Sequence, residues 1–227
     1  NFLEKLNCPA YKVSSFEMND LNLIEKIAKT KKSMIISTGL ANLEEIKKTY
    51  KVAVQSGCKD ITLLYCVSNY PSNIGDFNLN NLNILKKTFK CKVGLSDHSK
   101  GNEIASLALA YGAEVFEKHI ALQNQKKGHD IEFSAKGKEV ESYVDKINEI
   151  SKIISRDYFY RSKSEMKNQI FRRSIYAIKD IKKGDRFSNK NISTFRPNIG
   201  LSASYYPYIL GKKSPVSIEV NSVLNKN

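Results

Sequence analysis

Residues 61–98, ITLLYCVSNYPSNIGDFNLNNLNILKKTFKCKVGLSDH, contain the pattern that decides the fold of this chain. The apolar run Ile61 to Cys66 predicts a buried strand, a helical pattern covers 80–90, and a second apolar run spans Lys92 to Ser96. A strand, a helix and a further strand at this spacing form the βα repeat of a parallel sheet.

The same repeat extends on both sides of this stretch. Strand starts are separated by roughly 22 to 31 residues, the repeat length of a barrel or a doubly wound sheet. No glycine-rich phosphate loop follows a strand, which disfavours a nucleotide-binding sheet and favours a (β/α)₈ TIM barrel. The further strands are predicted at Tyr11 to Ser14, Met34 to Thr38 and Glu114 to His119, and the further helices at 21–30, 42–56, 101–111 and 138–155.

The predicted domain organisation has two parts. Residues 1–156 hold five of the eight βα units that close a barrel, so we expect an N-terminally truncated chain. Residues 157–170 are a polar, basic linker, and residues 171–227 form a small β-rich domain. Its strands are predicted at Ser174 to Lys179, Ile192 to Phe195 and Val216 to Val220.

The amino-acid composition argues against several classes of function. The 227 residues include 37 Lys+Arg and 23 Asp+Glu, a net charge of +14. The lysines are scattered, so nucleic-acid binding is disfavoured, and the charge suits an anionic small substrate. No apolar run reaches the roughly 20 residues of a membrane helix. Four cysteines without a C-x-x-C pair argue against a zinc site, so we expect a reduced, cytoplasmic protein.

Polar side chains cluster where each of the five predicted strands ends. In a TIM barrel these ends form the catalytic face, although terminal hydroxyls could also cap the following helices. His98 and His119 end adjacent strands and could bind a divalent metal, or form a hydrogen-bonded structural pair. Lys12 could bind a phosphate or carboxylate together with Ser15, Ser37, Ser68 and Ser96, or pair with Glu17.

These strand ends resemble the sialic acid (nonulosonic acid) synthase family, and the tail resembles its antifreeze-like SAF domain, a β-clip fold. The similarity covers nearly the whole chain, and the tail is most similar to the pseudaminic acid synthase branch. It rests on the barrel segments Tyr11–Glu17, Ser37–Gly39, Cys66–Pro71, Gly94–Ser99 and Glu117–His119, and on the tail segments Arg173–Tyr176, Asp180–Gly184, Phe195–Leu201 and Leu210–Lys213.

The resemblance implies condensation of phosphoenolpyruvate with an N-acetylated sugar to give a nonulosonic acid and phosphate. His98 and His119 would hold Mn²⁺, or Mg²⁺ or Co²⁺, and the serines and Lys12 named above would bind phosphoenolpyruvate. Glu17 and Tyr70 would lie near the reacting atoms and Asp130 near the sugar. Arg196 would reach the sugar from the other subunit of a domain-swapped homodimer.

Other functions stay open at this point. Within the family, the chain could be an N-acetylneuraminate or legionaminate synthase. Outside it, the chain could be a metal-dependent aldolase that uses pyruvate, or a carbohydrate-binding module without activity. Release of inorganic phosphate distinguishes the first group from the other two, because pyruvate carries no phosphate.

Overall fold

The computed structural model describes residues 2–154 and 158–225, which form two compact units, Asn1–Asp157 and Tyr158–Asn227. Strands and helices alternate in the first unit. They are α1 (Phe2–Lys5), β1 (Ala10–Val13), α2 (Leu21–Ala28), β2 (Ser33–Ser37), α3 (Leu43–Gln55), β3 (Ile61–Cys66), α4 (Asn80–Phe89), β4 (Lys92–Asp97), α5 (Glu103–Ala110), β5 (Val115–Lys118), β6 (Ile120–Ala121), β7 (Ala135–Lys136) and α6 (Lys138–Ile154).

Strands β1 to β5 form one parallel sheet in the order of the sequence. The sheet curls, and together with its helices it is part of a TIM barrel, as the βα repeat predicts. The short strands β6 and β7 pair separately after β5. None of the helices in the described residues is long and apolar enough to cross a membrane.

The core explains why these residues form these elements. All six residues of β3 are buried, as expected for a central parallel strand covered on both faces. Helix α3 begins at a capping box in which the Asn42 side chain and the Glu45 carboxylate each accept a backbone N–H, as the sequence predicts. The apolar faces of α2, α3, α4 and α5 pack on the sheet in one continuous core.

The second unit contains α7 (Lys163–Met166), β8 (Ser174–Ala177), β9 (Ile192–Phe195) and α8 (Tyr206–Ile209). Strands β8 and β9 pair antiparallel. The small core consists of Ile175, Ala177, Ile181, Phe187, Ile192 and Leu224. The predicted boundary at residues 156 and 157 and the end of the helix predicted to reach residue 155 lie outside the described residues.

The prediction of a strand from Val216 to Val220 is wrong. Ile218 makes only an isolated bridge to Ile181, through two reciprocal backbone hydrogen bonds of 2.8 Å. Val216 and Val220 are exposed, and the Val220 N–H donates to the Asp180 carboxylate instead of to a neighbouring strand. The predicted linker also has structure, because α7 lies within it and a following 3₁₀ turn, Lys167–Phe171, overlaps its end.

Candidate active site

A cavity of about 420 Å³ opens at the carboxyl ends of the five parallel strands. This is the end of the sheet where TIM barrels carry their catalytic groups. Eight of the residues singled out from the sequence line it: Lys12, Ser15, Ser37, Tyr70, Ser96, His98, His119 and Asp130. Ser14, Phe16 and Glu117 complete the lining.

Lys12 on β1 supplies the cation of this cavity. Its ammonium donates to the Ser37 hydroxyl at 2.8 Å and lies 3.4 Å from the Glu117 carboxylate. Ser96 donates to the other oxygen of Glu117 at 2.6 Å. Lys12 therefore pairs with Glu117 and not with Glu17, whose carboxylate accepts a hydrogen bond of 2.9 Å from the Ser14 hydroxyl.

The two histidines lie side by side at the ends of β4 and β5, with ring centroids 5.4 Å apart. The buried His98 donates from Nδ1 to the Val67 carbonyl oxygen at 2.9 Å, since a carbonyl can only accept. Burial lowers the pKa of His98, so its ring is neutral near pH 7 and its Nε2 carries a lone pair. Nδ1 of His119 lies 3.7 Å from the Asp130 carboxylate.

Two aromatic rings surround the imidazoles. The Tyr70 ring lies 4.3 Å from the His98 ring, and the buried Phe133 ring lies 5.2 Å from the His119 ring. Burial, together with the nearby Cys66, Asp130 and Glu117, raises the pKa of the Tyr70 hydroxyl. Tyr70 therefore presents a protonated hydroxyl beside the histidines.

Ser15 and Ser68 lie around Gly39, just after β2. The Ser15 hydroxyl is 3.0 Å from the Cys66 sulfur, while the buried Ser68 hydroxyl has no hydrogen-bond partner in the described part of the chain. A Cβ on Gly39 would fall 2.2 Å from the Ser68 oxygen, so only glycine fits there. Ser68 does not line the cavity, and its hydroxyl is buried beside Gly39.

The donor set fits a divalent metal only in part. His98 Nδ1 is committed to a backbone carbonyl, the arrangement that usually orients a metal-binding imidazole through its other nitrogen. His119 adds a second nitrogen donor nearby. Within residues 2–154 and 158–225, no three His, Cys, Asp or Glu side chains are grouped so as to hold a metal. Further ligands would therefore come from substrate or water.

Three of the predicted site residues, Glu17, Ser68 and Arg196, are not among those that line the cavity. The Glu17 carboxylate accepts a hydrogen bond from Ser14, which lines the cavity. Arg196 belongs to the second unit, where it is exposed directly after β9.

Glu117 and Phe133 are site residues that the sequence analysis missed. Glu117 precedes His119 by two residues, so the alternation of a strand places both on one face. That spacing could have identified Glu117, whereas no local pattern marks Phe133.

Both units of the chain match models of known protein families. The NeuB family model matches residues 1–158, and the SAF domain model matches residues 172–227. The chain is 39% identical over 226 residues to a pseudaminic acid synthase of Campylobacter jejuni, covering 100% of this chain and 66% of that protein. It is 41% identical over 215 residues to an N,N'-diacetyllegionaminic acid synthase of the same species, covering 93% and 64%.

Two solved structures extend the comparison. The N-acetylneuraminic acid (sialic acid) synthetase of Leptospira borgpetersenii has a TM-score of 0.69 and 34% identity, covering 74% of this chain and 59% of that one. The spore coat polysaccharide biosynthesis protein SpsE of Bacillus subtilis has a TM-score of 0.65 and 25% identity, covering 98% and 68%.

These matches confirm the resemblance to the sialic acid synthases and their SAF domain. The chain spans 66% of the length of the pseudaminic acid synthase that it matches. Since the family model covers residues 1–158, well over half of the 227 residues, this chain belongs to the NeuB family.

Proposed function

We propose that this chain catalyses the condensation of phosphoenolpyruvate with an N-acetylated amino sugar, giving a nonulosonic acid and phosphate. The observation that carries the proposal is that one cation, Lys12, and two imidazoles, those of His98 and His119, line the same cavity. The ammonium suits an anionic substrate, and the imidazoles suit a metal or an aldehyde oxygen.

Phosphoenolpyruvate would bind at the end of β1. Lys12 lies beside the hydroxyls of Ser37 and Ser96, and charge-assisted hydrogen bonds from such a set are strong. Ser15 and the unpartnered Ser68 hydroxyl offer further donors around Gly39. Glu117 now forms an ion pair with Lys12 and accepts from Ser96, so a bound phosphate would take over both partners.

His98 and His119 would hold a divalent metal, Mn²⁺ in preference to Mg²⁺ or Co²⁺. When bound, such an ion supplies Lewis-acid polarisation of the sugar aldehyde. In the reaction, C3 of phosphoenolpyruvate would bond to the aldehyde carbon, whose oxygen takes up a proton. Water would add at C2 and lose a proton, and the bond between C2 and the phosphate oxygen would break to release phosphate. Tyr70, with its protonated hydroxyl, lines the cavity and would donate a proton, and Asp130 would accept from sugar hydroxyls. Glu17 is bound to Ser14 outside the lining and would have to turn towards the substrate to take part in proton transfer.

The preferred sugar is 2,4-diacetamido-2,4,6-trideoxy-altrose, which would make the product pseudaminic acid. The 39% identity to a pseudaminic acid synthase over the entire chain supports this choice. The 41% identity to a legionaminic acid synthase makes that product the alternative, with N-acetylneuraminate next. Only the sugar changes between these reactions, so one assay compares them.

The second unit would complete the cavity of a neighbouring copy. We propose a domain-swapped homodimer in which Arg196 of one copy reaches the sugar bound by the other. The exposure of Arg196 supports this, as does the small core of its unit, six buried residues that docking would supplement. The four free cysteines support a reducing, cytoplasmic location.

The test is a stoichiometric assay with the purified protein and Mn²⁺. Phosphoenolpyruvate is combined in turn with the three candidate sugars, and phosphate and nine-carbon product are both counted. We expect one phosphate per nonulosonic acid, and the fastest turnover with the altrose derivative. Equal product from pyruvate would show an aldolase instead, and tight sugar binding without phosphate release would show a binding module.

A further inference from the structure

A buried ion pair lies directly behind the two histidines. Asp97 on β4 and Lys118 on β5 are partners in the sheet register, and each immediately precedes one of the histidines. Successive strand side chains point to opposite faces. The histidines face the cavity, and Asp97 and Lys118 therefore face the helical layer, where the Tyr143 ring of α6 lies 5.3 Å from the lysine ammonium.

This ion pair also forms hydrogen bonds with Ser99, the residue that follows His98. Lys118 donates to the Asp97 carboxylate at 2.9 Å and to the Ser99 carbonyl oxygen. The second oxygen of Asp97 accepts from the Ser99 N–H at 2.9 Å and from its hydroxyl at 2.6 Å. His98 is therefore held between two residues that are both tied to β5.

Stability alone does not explain such a pair. The Asp97 side chain is completely buried and the Lys118 side chain is 7% exposed. Desolvating two charges offsets their attraction, so well-packed apolar residues of similar volume would serve stability about as well. Apolar residues could not fix the turn at Ser99, because they have no oxygen to accept from the Ser99 N–H and hydroxyl as Asp97 Oδ1 does.

We propose that Asp97 and Lys118 are positioning residues, whose ion pair sets the separation and orientation of the His98 and His119 rings from behind the sheet. The inference rests on the proposed function, in which these imidazoles hold the metal. It adds two residues that touch neither substrate nor metal but decide whether the two nitrogen donors can converge.

The test removes both charges together, in Asp97→Asn/Lys118→Met, so that no charge is left buried alone. NMR of ¹⁵N-histidine-labelled, metal-free protein at fixed pH should show shifted imidazole signals for His98 and His119. The exposed His129 is the internal reference and should not move. Mn²⁺ affinity, measured by the electron paramagnetic resonance of the free ion, should fall roughly tenfold to a hundredfold.

Ile24→Ala is the matched control for general destabilisation. Ile24 is fully buried on α2 and contributes nothing to the cavity. It should lower the melting temperature while leaving the histidine signals and the Mn²⁺ affinity as in the wild type.

The proposal is overturned if the folded double variant keeps the wild-type histidine signals and its Mn²⁺ affinity within about twofold. Should that variant fail to fold, Ser99→Ala decides, because it removes one donor to Asp97 and no charge. A shifted His98 signal then supports the proposal, and an unshifted one overturns it. If wild-type protein binds no Mn²⁺, the metal assignment is wrong, while the histidine signals still decide the positioning role.

Discussion

The Lys12 ammonium and the Glu117 carboxylate meet at 3.4 Å, although they belong to the first and last strands of the five-stranded sheet. Strands β1 and β5 share no backbone hydrogen bond, so the contact is made across the cavity by the curl of the sheet. Both side chains are partly exposed, at 33% and 40%. The ion pair is therefore weak and can be replaced by an incoming anion.

Removing the Glu117 charge should tighten the binding of phosphoenolpyruvate in the absence of metal and sugar. In Glu117→Gln the anion no longer competes with a carboxylate for Lys12. A partly exposed ion pair contributes about 0.2–1 kcal/mol, which corresponds to an affinity gain of up to about fivefold. Isothermal titration calorimetry without metal or sugar measures this affinity. Glu114→Gln is the control, because Glu114 comes directly before β5 and pairs with Lys86 instead of Lys12. Weaker binding in Glu117→Gln would mean that Glu117 helps to hold the substrate.

Loss of Lys12 should have the opposite effect. Lys12→Ala removes a charge-assisted contact with phosphoenolpyruvate, which costs roughly 1.5–3 kcal/mol, or about 10- to 150-fold in KM for that substrate. The KM for the sugar should change little. Lys47→Ala is the control, since Lys47 is an exposed lysine of α3 that pairs with Glu44 on the same helix. An unchanged KM for phosphoenolpyruvate would contradict the assignment of Lys12.

His98→Ala should abolish Mn²⁺-dependent phosphate release. It removes one of the two nitrogen donors at the ends of β4 and β5, and the remaining imidazole cannot hold the ion alone at micromolar concentrations. His129→Ala, at an exposed position, should behave like the wild type. Steady-state phosphate assays with and without a chelator give the result. Wild-type activity that survives exhaustive chelation would rule out a role for the metal.

The sequence predicts the parallel sheet closely because its strands are buried apolar runs. Each of the five strands lies within one residue of its predicted bounds, and Ile61–Cys66 matches at both ends. His98 and His119 were predicted to lie together because they end adjacent strands, and both line the cavity. The contact between Lys12 and Glu117 could not be predicted, because it depends on how far the whole sheet curls. The strand predicted at Val216 to Val220 does not form because Val216 and Val220 lie on the surface and only Ile218 packs against the small core.

Gly94→Ala should destabilise the protein strongly. A Cβ at Gly94 would lie 2.1 Å from the Val115 carbonyl oxygen on the adjacent strand, and backbone cannot move aside as a side chain can. Overpacking of this kind costs about 1–3 kcal/mol or more. Urea unfolding measures it, with Gly75→Ala as control, since a Cβ there meets nothing within 4 Å. Equal stability of the two variants would show that β4 and β5 are not packed as described.

Subunit complementation tests whether Arg196 acts on the cavity of a second copy. Arg196→Ala and His98→Ala should each be inactive, the first without the sugar contact and the second without the metal. After the subunits are mixed and exchanged, half of the dimers are mixed. One of their two cavities then combines an intact His98 with an intact Arg196 from the partner. Activity should return to about a quarter of the wild-type value if exchange is random and the two sites are independent. Arginine suits this role because its planar guanidinium donates to amide and hydroxyl oxygens in a fixed geometry.

The control mixes His98→Ala with His119→Ala, which lie in the same unit and cannot restore a complete metal site by exchange of the second unit. Native mass spectrometry must show the mixed dimers. If they form and no activity returns, Arg196 acts within its own chain or has no part in the reaction.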